Sequence, residues 1–465
     1  MQIPILSGIY TNPVSQVRVS YPVNLIPVPV RSGVSNGYLR PGYGLIQQGQ
    51  AGLDRGGIEW NGVHYRVMGT KLVHLDQAGN RTELGDVGSG GWCSFDYSFD
   101  RLSISSGGRL YYLQGGTLTQ VTDPDLGQSL DHVWVDGYFM STDGEFLIVT
   151  ELTNPLAVNP LKYGSSEVDP DPIKAVLKLR GEIYAANRHT IEVFTNVGGT
   201  GFPFSRVDGA QVQKGVIGTH AICIYSDVIA FLGSGRNEPP GIFLGGSGSA
   251  EKISTHEIDQ ILATYTEAQL SEVVLEEKRD ASNAHLLIHL PDRCLVYDLA
   301  ASKAVGDQVW FCLTSSQAGF SQYKAKGHVW CHDRWNVADP TSGKYGYLSE
   351  MVSSHWGEHV RWEFGTQILY NEGKGAIVNS MELVALTGSV ALTDDPRINT
   401  SFTIDGELWS QDRWISAGKT GQRAKRLLWL QGGMMRNWRI QRFRGDSRSH
   451  MSVLRLEMEL EPLVY

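Results

Sequence analysis

A short unit recurs through the middle of the chain and constrains its fold more than any other feature. Each copy is a β-rich run, a turn and a second run that usually ends in an aromatic or aliphatic pair. The copies are HYRVMGTKLVHLD (64–76), RLSISSGGRLYYLQ (101–114), VWVDGYFMSTDGEFLIVT (133–150), VLKLRGEIYAANRHTIEVF (176–194), AICIYSDVIAFLGS (221–234), HLLIHLPDRCLVYDL (285–299) and YKAKGHVWCHDRW (323–335). Their starts lie roughly 30 to 65 residues apart, a spacing typical of four-stranded propeller blades with loop insertions. The pattern predicts a β-propeller of six or seven blades at 46–355.

Composition supports an all-β fold. The 53 glycines and 10% aromatic residues among 465 favour strands joined by tight turns. No run approaches the roughly 18 apolar residues that a membrane span needs, and no basic stretch followed by an apolar run opens the chain. We therefore expect a soluble protein made without a signal peptide. Five scattered cysteines without C-x-x-C spacing predict reduced core thiols rather than a disulfide framework or a structural zinc site.

Three regions depart from the recurring unit. Residues 1–45 are rich in Pro and Gly and predict an extended N-terminal arm that leans on another part of the molecule. The segment 254–280 predicts a helical insertion of two short helices, the second opened by a Thr266–Gln269 capping box. Packing on the propeller rim and an exposed docking feature are both open for it. After residue 355 the strands lengthen, which predicts a C-terminal β-sandwich at 356–465.

Charge is distributed unevenly. The chain carries a net charge of −9, yet ten Lys or Arg and one Asp lie between Arg413 and Arg448, which leaves −18 for the remainder. An acidic protein with one basic segment is suited to meeting an acidic surface of its own neighbours or of a partner ring. Nucleic-acid binding by the interleaved Arg and aromatic residues is the alternative. The candidate subunit or adaptor interface comprises Arg423, Lys425, Arg426, Arg436, Arg439, Arg442 and Arg444.

The stretch TIDGELW (403–409) raises an enzymatic alternative, because it lacks one residue of the S-x-D-x-G-x-x-W turn that recurs in sialidase propellers. Such an enzyme also needs an arginine cluster, a tyrosine nucleophile with an acidic partner and a separate acid. The turn occurs once and outside the blade region, so we interpret Asp405-Gly406 as a hairpin turn with Trp409 behind it. A sialidase-like enzyme and a sugar-binding propeller remain alternatives.

The sequence contains no convincing motif for a metal or nucleotide site. His328, Cys331 and His332 lack a fourth ligand at a credible spacing, and consecutive strand residues point to opposite faces. SAGKTG (416–421) has Arg413 where a phosphate-binding loop needs its first glycine, and no helical stretch follows. We therefore expect no catalytic residues, no cofactor and no metal.

Several stretches together resemble the packaged-DNA stabilisation proteins, or tail hub (nozzle) proteins, of short-tailed phages of the Salmonella-phage type. The matching pieces keep the family's order and span nearly the whole chain, although none is a catalytic signature. They are PVNLIP with SGVSNGYLRPG, YRVMGTKL, VQKGVIGT (212–219), HLLIHLPDRCLVYD (285–298), DGELW and KRLLWLQGGMMRNWRIQRFRG.

The resemblance implies a structural, non-enzymatic virion protein in the phage tail. It implies a β-propeller with added domains, assembled as a six-fold ring below the head-to-tail adaptor on the portal. Such a ring prolongs the DNA channel without sequence-specific binding, retains packaged DNA with a plug or needle, and carries tailspikes or fibres. The Trp-rich segment 328–356 departs from the family pattern and is expected to be a long loop that contacts fibres.

Overall fold

Seven small antiparallel sheets follow one another along most of the chain. The computed structural model describes residues 2–6, 8–11, 17–30, 37–280, 283–372 and 374–463. The innermost strands of neighbouring sheets contact one another in a closed series. This arrangement is a β-propeller, and it has seven blades. The prediction of a propeller with six or seven blades is confirmed, and each recurring sequence unit falls in a different blade.

The strands are numbered along the chain. Six precede the first blade: β1 Gln2–Ile3, β2 Gly8–Thr11, β3 Val17–Ser20, β4 Leu25–Pro29, β5 Gly37–Pro41 and β6 Gly44–Gln50. Blade one contains β7 Asp54–Trp60, β8 Val63–Met68, β9 Lys71–Leu75 and β10 Arg81–Asp86, and blade two contains β11 Ser94–Tyr97, β12 Leu102–Ser106, β13 Arg109–Gln114 and β14 Thr117–Gln120. Blade three contains β15 Asp131–Val135, β16 Tyr138–Thr142, β17 Phe146–Thr150 and β18 Val158–Ser165, and blade four contains β19 Ile173–Leu179, β20 Glu182–Asn187, β21 Ile191–Asn196 and β22 Phe204–Arg206. Blade five contains β23 Gly215–Val216, β24 Ile222–Tyr225, β25 Val228–Ser234, β26 Gly241–Gly246 and β27 Ser249–Lys252. Blade six contains β28 Val274–Arg279, β29 Ala284–His289, β30 Cys294–Asp298 and β31 Trp310–Leu313, and blade seven contains β32 Lys326–Cys331, β33 Arg334–Ala338 and β34 Lys344–Ser349.

The seventh blade is completed by a strand from the other end of the propeller. β6 pairs antiparallel with β34, with Ile46 opposite Tyr347. The two backbones approach so closely at Gly346 that a Cβ there would lie 1.8 Å from the Ile46 carbonyl oxygen. The N-terminal chain therefore supplies the outermost strand of blade seven and closes the propeller.

Carboxylates on the innermost strands bond across the gaps between blades. Neighbouring inner strands do not share a ladder, so their backbone N–H groups need other acceptors. Asp96 accepts from the backbone N–H of Trp134 at 2.6 Å, and Asp131 accepts from that of Val176 at 2.9 Å. Burial raises the pKa of Asp131 to about 7. These bonds link blades two to three and three to four.

Two short helices lie between blades five and six. They are α1 His256–Leu262 and α2 Glu267–Ser271, and the predicted Thr266–Gln269 capping box opens α2. Ile258, Leu262 and Leu270 are buried in the core that these blades share, so the helices pack on the propeller. The predicted insertion at 254–280 was too long, because Val274–Arg279 forms the inner strand β28 of blade six.

Other parts of the chain were not predicted correctly or at all. The segment 328–356 is not a long loop, because β32, β33 and β34 of blade seven occupy most of it. Its Trp330 and Trp335 form a cross-strand pair with ring centroids 5.5 Å apart. A third helix, α3 Leu299–Val305, and two short 3-10 turns at Pro124–Leu126 and Ser447–Ser449 were not predicted. Among the described residues, no helix is long and apolar enough to cross a membrane.

The C-terminal part of the chain is a two-sheet sandwich, as predicted. Its own strands are β35 Arg361–Gly365, β36 Leu369–Tyr370, β37 Ala376–Leu386, β38 Arg397–Thr403, β39 Arg413–Ser416, β40 Leu427–Leu430, β41 Met434–Met435, β42 Trp438–Asp446 and β43 Ser452–Pro462. One sheet has the order β4-β5-β43-β37-β40, with β1 on β43 and β41 on β37; the other has the order β35-β42-β38-β39, with β36 on β42. Phe364, Trp429 and Phe443 lie in the core between them. The N-terminal strands β1, β4 and β5 thus belong to the sandwich.

A short segment before β4 joins the two domains. Val23 exchanges backbone hydrogen bonds with Glu363 of β35, at 2.8 and 3.1 Å, while the backbone N–H of Asn24 donates to Cys312 of β31 at 2.8 Å. Asn24 has a φ of 51°. Its side-chain amide donates to the carbonyls of Thr314 and Arg361, at 2.9 and 2.7 Å. One residue therefore bonds to both domains at once.

Candidate functional site

The predicted basic interface is divided among three environments in the sandwich. Arg423, Lys425 and Arg426 precede β40, Arg436 follows β41, and Arg439, Arg442 and Arg444 lie on β42. β40 and β42 belong to different sheets. The seven cations therefore do not form one continuous patch on a single chain.

The first environment is solvent-exposed. Arg423, Lys425, Arg426 and Arg436 are all exposed. Arg426 bonds Glu382 of β37 with two guanidinium nitrogens, of which Nε lies 2.8 Å from Oε1. This contact lowers the pKa of Glu382. In the part of the chain that the structure describes, Arg423, Lys425 and Arg436 form no ion pair, so their charge is available to a partner.

The second environment is the interior of the sandwich. Arg439 is fully buried, and its guanidinium lies over the Phe402 ring at 3.7 Å. Its nitrogens donate to the Gly432 carbonyl at 2.7 Å and to Oε1 of Gln441 at 3.0 and 2.7 Å. Burial lowers the pKa of Arg439 to about 9. Arg439 is satisfied inside its own chain and offers no contact to a partner.

The third environment is a cleft between propeller and sandwich. Alternation along β42 places Arg442 and Arg444 on the face opposite Arg439. The Arg442 guanidinium lies over the Trp409 ring at 3.9 Å, and burial lowers its pKa. Arg442 lines a cavity of about 300 Å³ that Arg293 and Arg361 also line. Arg444 instead contacts Asp412 and lines a neighbouring cavity of about 680 Å³.

Sequence reasoning missed two arginines of this cleft. The guanidinium groups of Arg293 and Arg361 both stack on the Phe320 ring, 4.0 and 4.8 Å from its centroid. The Arg293 side chain pairs with Asp292 at 2.7 Å, and that of Arg361 pairs with Glu363 at 3.0 Å. Both residues lie far along the chain from 413–448, so no local charge pattern connects them with it. Only the packing of blade six against the sandwich brings them together.

The TIDGELW turn has a structural use in this domain. The Asp405 carboxylate accepts from the Thr403 hydroxyl and from the backbone N–H groups of Glu407 and Leu408, at 3.0, 3.0 and 2.9 Å. These bonds lower the pKa of Asp405. Gly406 has a φ of 82°, and the loop connects β38 to β39. Asp405 therefore stabilises the turn, and the Arg442 guanidinium stacks on the Trp409 ring.

His328, Cys331 and His332, which we considered and rejected as metal ligands from the sequence, do not come together. His332 lies in the turn between β32 and β33, with a φ of 57°, and the Cys331 thiol faces the Gly62 carbonyl at 3.6 Å. His328 lies instead beside Glu276 and His289. The five cysteines are free, and Cys93, Cys294, Cys312 and Cys331 are buried.

Comparisons with known proteins point to the same family in both the propeller and the sandwich. A family model described as "Bacteriophage P22 Gp10, beta-propeller" matches residues 1–353, and one described as "Bacteriophage P22 Gp10, beta-sandwich" matches residues 361–461. The tail hub protein gp10 of Salmonella phage P22 is 26% identical over 483 aligned residues, which cover 99% of both chains.

Solved structures give weaker similarities. PorZ of Porphyromonas gingivalis, a component of the type-IX secretion system, is 12% identical, with a TM-score of 0.40 over 74% of this chain and 45% of PorZ. The N-terminal domain of Nup159 is 8% identical, with a TM-score of 0.42 over 71% of this chain and 99% of that domain.

Proposed function

Because this chain belongs to the bacteriophage P22 Gp10 family, we propose that it is a structural tail hub protein of a short-tailed phage. The observation that carries this function is the match to a tail hub protein over 99% of both chains. The match includes the propeller and the sandwich in the same order. A single shared propeller would not support the function in this way, since propellers serve many unrelated functions.

We further propose that the chain assembles as a six-fold ring below the head-to-tail adaptor. The ring would extend the DNA channel, retain packaged DNA together with a plug or needle, and anchor tailspikes or fibres. A closed ring requires heterologous contacts, in which one patch of a subunit meets a different patch of the next. The exposed cations Arg423, Lys425 and Arg436 and the acidic remainder of the chain offer such complementary patches.

We also propose that DNA passes through this ring without sequence-specific contacts. A chain of net charge −9, repeated around a channel, repels phosphates over most of its surface and lets a duplex slide. The proposed role is also non-enzymatic. The only turn that motivated a glycosidase uses the Asp405 carboxylate to bond its own backbone.

The mass of the purified chain and the protein content of phage particles test the proposed function. Native mass spectrometry is expected to give an assembly of six chains, alone or on addition of the adaptor. Proteomics of particles is expected to find the chain in the virion tail. A stable monomer that never occurs in particles would exclude the hub function.

Charge reversal tests the interface. The variant R423E/K425E/R436E is expected to reduce the assembled fraction at least about tenfold, because complementary charges become like charges. Arg439 is left in place, since a carboxylate there would be buried. The matched control R81E/R109E/K303E makes the same change in net charge on exposed propeller residues and is expected to assemble normally. Normal assembly of the sandwich variant, with loss of DNA from particles, would assign these cations to DNA contact instead.

A further inference from the structure

Three potential metal ligands meet where blade six contacts blade seven. Glu276 lies on the inner strand β28, His289 ends β29, and His328 lies on the inner strand β32. One ligand atom of each residue lies within 4.8 Å of the others. The three residues are 13, 39 and 52 positions apart along the chain, spacings that match no short metal-binding motif.

Backbone groups hold the carboxylate in place. Glu276 accepts from the N–H of Gly327 through Oε1 at 2.7 Å and from the N–H of His328 through Oε2 at 3.0 Å. Nδ1 of His328 lies 2.5 Å from Oε2, and Nε2 of His289 lies 3.6 Å from the same oxygen. These contacts fix the carboxylate in one orientation, with Oε2 directed at both imidazoles.

The two imidazoles are buried and incompletely bonded. The side chains of His289 and His328 are 3% and 1% exposed. Within the described residues, Nε2 of each ring has no hydrogen-bond partner. The His289 ring is kept in place by stacking on Tyr323, with an interplanar angle of 13°. A buried polar atom is costly when unsatisfied, and Nε2 of His289, directed at the Glu276 carboxylate, is such an atom.

We propose that Glu276, His289 and His328 form a binding site for a divalent transition metal of the zinc class. Two imidazoles and one carboxylate suit zinc and its neighbours, whereas calcium and magnesium require mainly oxygen ligands. Ligand bonds of about 2.0–2.2 Å in a tetrahedral site place donor atoms about 3.3 Å apart. The separations of 2.5 and 3.6 Å reach that value through side-chain shifts of less than an ångström.

The ion would join the inner strands of the last two blades. Oε1 of Glu276 is already bonded to Gly327, so Oε2 is the carboxylate's ligand atom and the described residues supply three ligands in all. The buried Lys326 amine, which lies over the Trp92 ring at 4.4 Å, adds positive charge on the same strand as His328. Three ligands and a neighbouring cation predict weaker binding than a four-ligand structural zinc site provides. The metal's role is to strengthen the contact between blades six and seven.

Titration of the chelator-treated, full-length chain with Co²⁺ tests the site. One equivalent is expected to bind with the visible absorption of four-coordinate cobalt, and Zn²⁺ should displace it. Zn²⁺ should also raise the Tm by several degrees, because it binds the folded state. His289→Gln and His328→Gln are expected to lose the absorption and the Tm shift, whereas His359→Gln, which changes an exposed histidine, should keep both.

Two results would overturn the proposal. One is a folded wild-type chain that gives neither the cobalt absorption nor a Zn²⁺-dependent Tm shift. The other is metal uptake that is lost equally in the His359→Gln control, which would indicate adventitious surface binding. If the site variants do not fold, the wild-type cobalt spectrum still decides, since imidazole and carboxylate ligands in a tetrahedral site give a defined absorption. None of these outcomes depends on the tail function.

Discussion

At the residue scale, three arginines on one strand have very different surroundings. Arg439 lies inside the sandwich, whereas Arg442 and Arg444 line the cleft between domains. Strand alternation predicts that Arg439 and its two neighbours face opposite ways, and the structure agrees. Alternation does not reveal which face is the interior, because a buried arginine without a carboxylate partner contradicts the usual preference of charge for solvent. Gln441 and the Gly432 carbonyl, which satisfy Arg439, become visible only in the folded chain.

Asp131 gives a pH-dependent prediction. Its pKa is raised by burial to about 7 in the folded chain, from the ordinary value of 3.8. The folded state therefore binds more protons than the unfolded state between these values, and the stability contribution of Asp131 falls as pH rises from about 4 to 7. Asp131→Asn removes the buried charge and can still accept from Val176. It is expected to stabilise the chain by up to about 4 kcal/mol at pH 8 and by little at pH 4.

Urea unfolding at both pH values measures this difference. Asp208→Asn, which changes an exposed carboxylate, is the matched control and should leave stability unchanged at either pH. An Asp131→Asn chain that is less stable than wild type at pH 4 and at pH 8 would show that the carboxylate's hydrogen bonds outweigh its desolvation.

At the scale of elements, local pattern predicted the blades well and their closure poorly. Each recurring unit contains a pair of consecutive strands, so its alternation and turn are encoded within a few neighbouring residues. β6 pairs with β34 about 300 positions away, and nothing in GLIQQGQ identifies that partner. The predicted end of the helical insertion was wrong for a related reason. Val273 and Val274 continue an apolar stripe in sequence, but pairing with β29 makes Val274 the start of a strand.

Gly346 tests the importance of propeller closure. Gly346→Ala places a Cβ against the Ile46 carbonyl, so β6 must separate from β34. The free energy of unfolding is expected to fall by about 3 kcal/mol or more. Gly246→Ala in β26 is the control, because its Cβ meets no atom within 4 Å, and it should change stability by no more than about 0.5 kcal/mol. Equal stability of the two variants would mean that the β6–β34 pair contributes little to the fold.

At the scale of the whole molecule, the two domains are coupled through Asn24. Asn24→Ala removes the side-chain bonds to Thr314 and Arg361 and is strained at a φ of 51°. Asn24→Gly removes the same bonds but tolerates this backbone conformation. We expect losses of about 3–4 kcal/mol for the alanine variant and about 2 kcal/mol for the glycine variant. Calorimetry should show one transition for the wild type and two for Asn24→Ala, as the sandwich unfolds separately from the propeller.

The difference in stability between Asn24→Ala and Asn24→Gly measures the cost of backbone strain at residue 24. Identical Tm values for Asn24→Ala and Asn24→Gly would show that the left-handed conformation of residue 24 has no energetic role. A single transition in both variants would show that the remaining bonds of Val23 to Glu363 are sufficient to couple the domains.

The use of N-terminal strands in both domains has a consequence for synthesis. The strands β5 and β6 are translated early, yet β6 pairs with residues 344–349, about 300 positions later, and β5 pairs with Val453, about 400 positions later. At about 5–20 residues per second, the nascent chain holds these strand edges unpaired for roughly tens of seconds. Folding therefore cannot be completed one domain at a time during translation. A truncated product that lacks the last strands would leave β5 without its sandwich partner, which gives the cell a physical means of distinguishing full-length chains from unfinished ones.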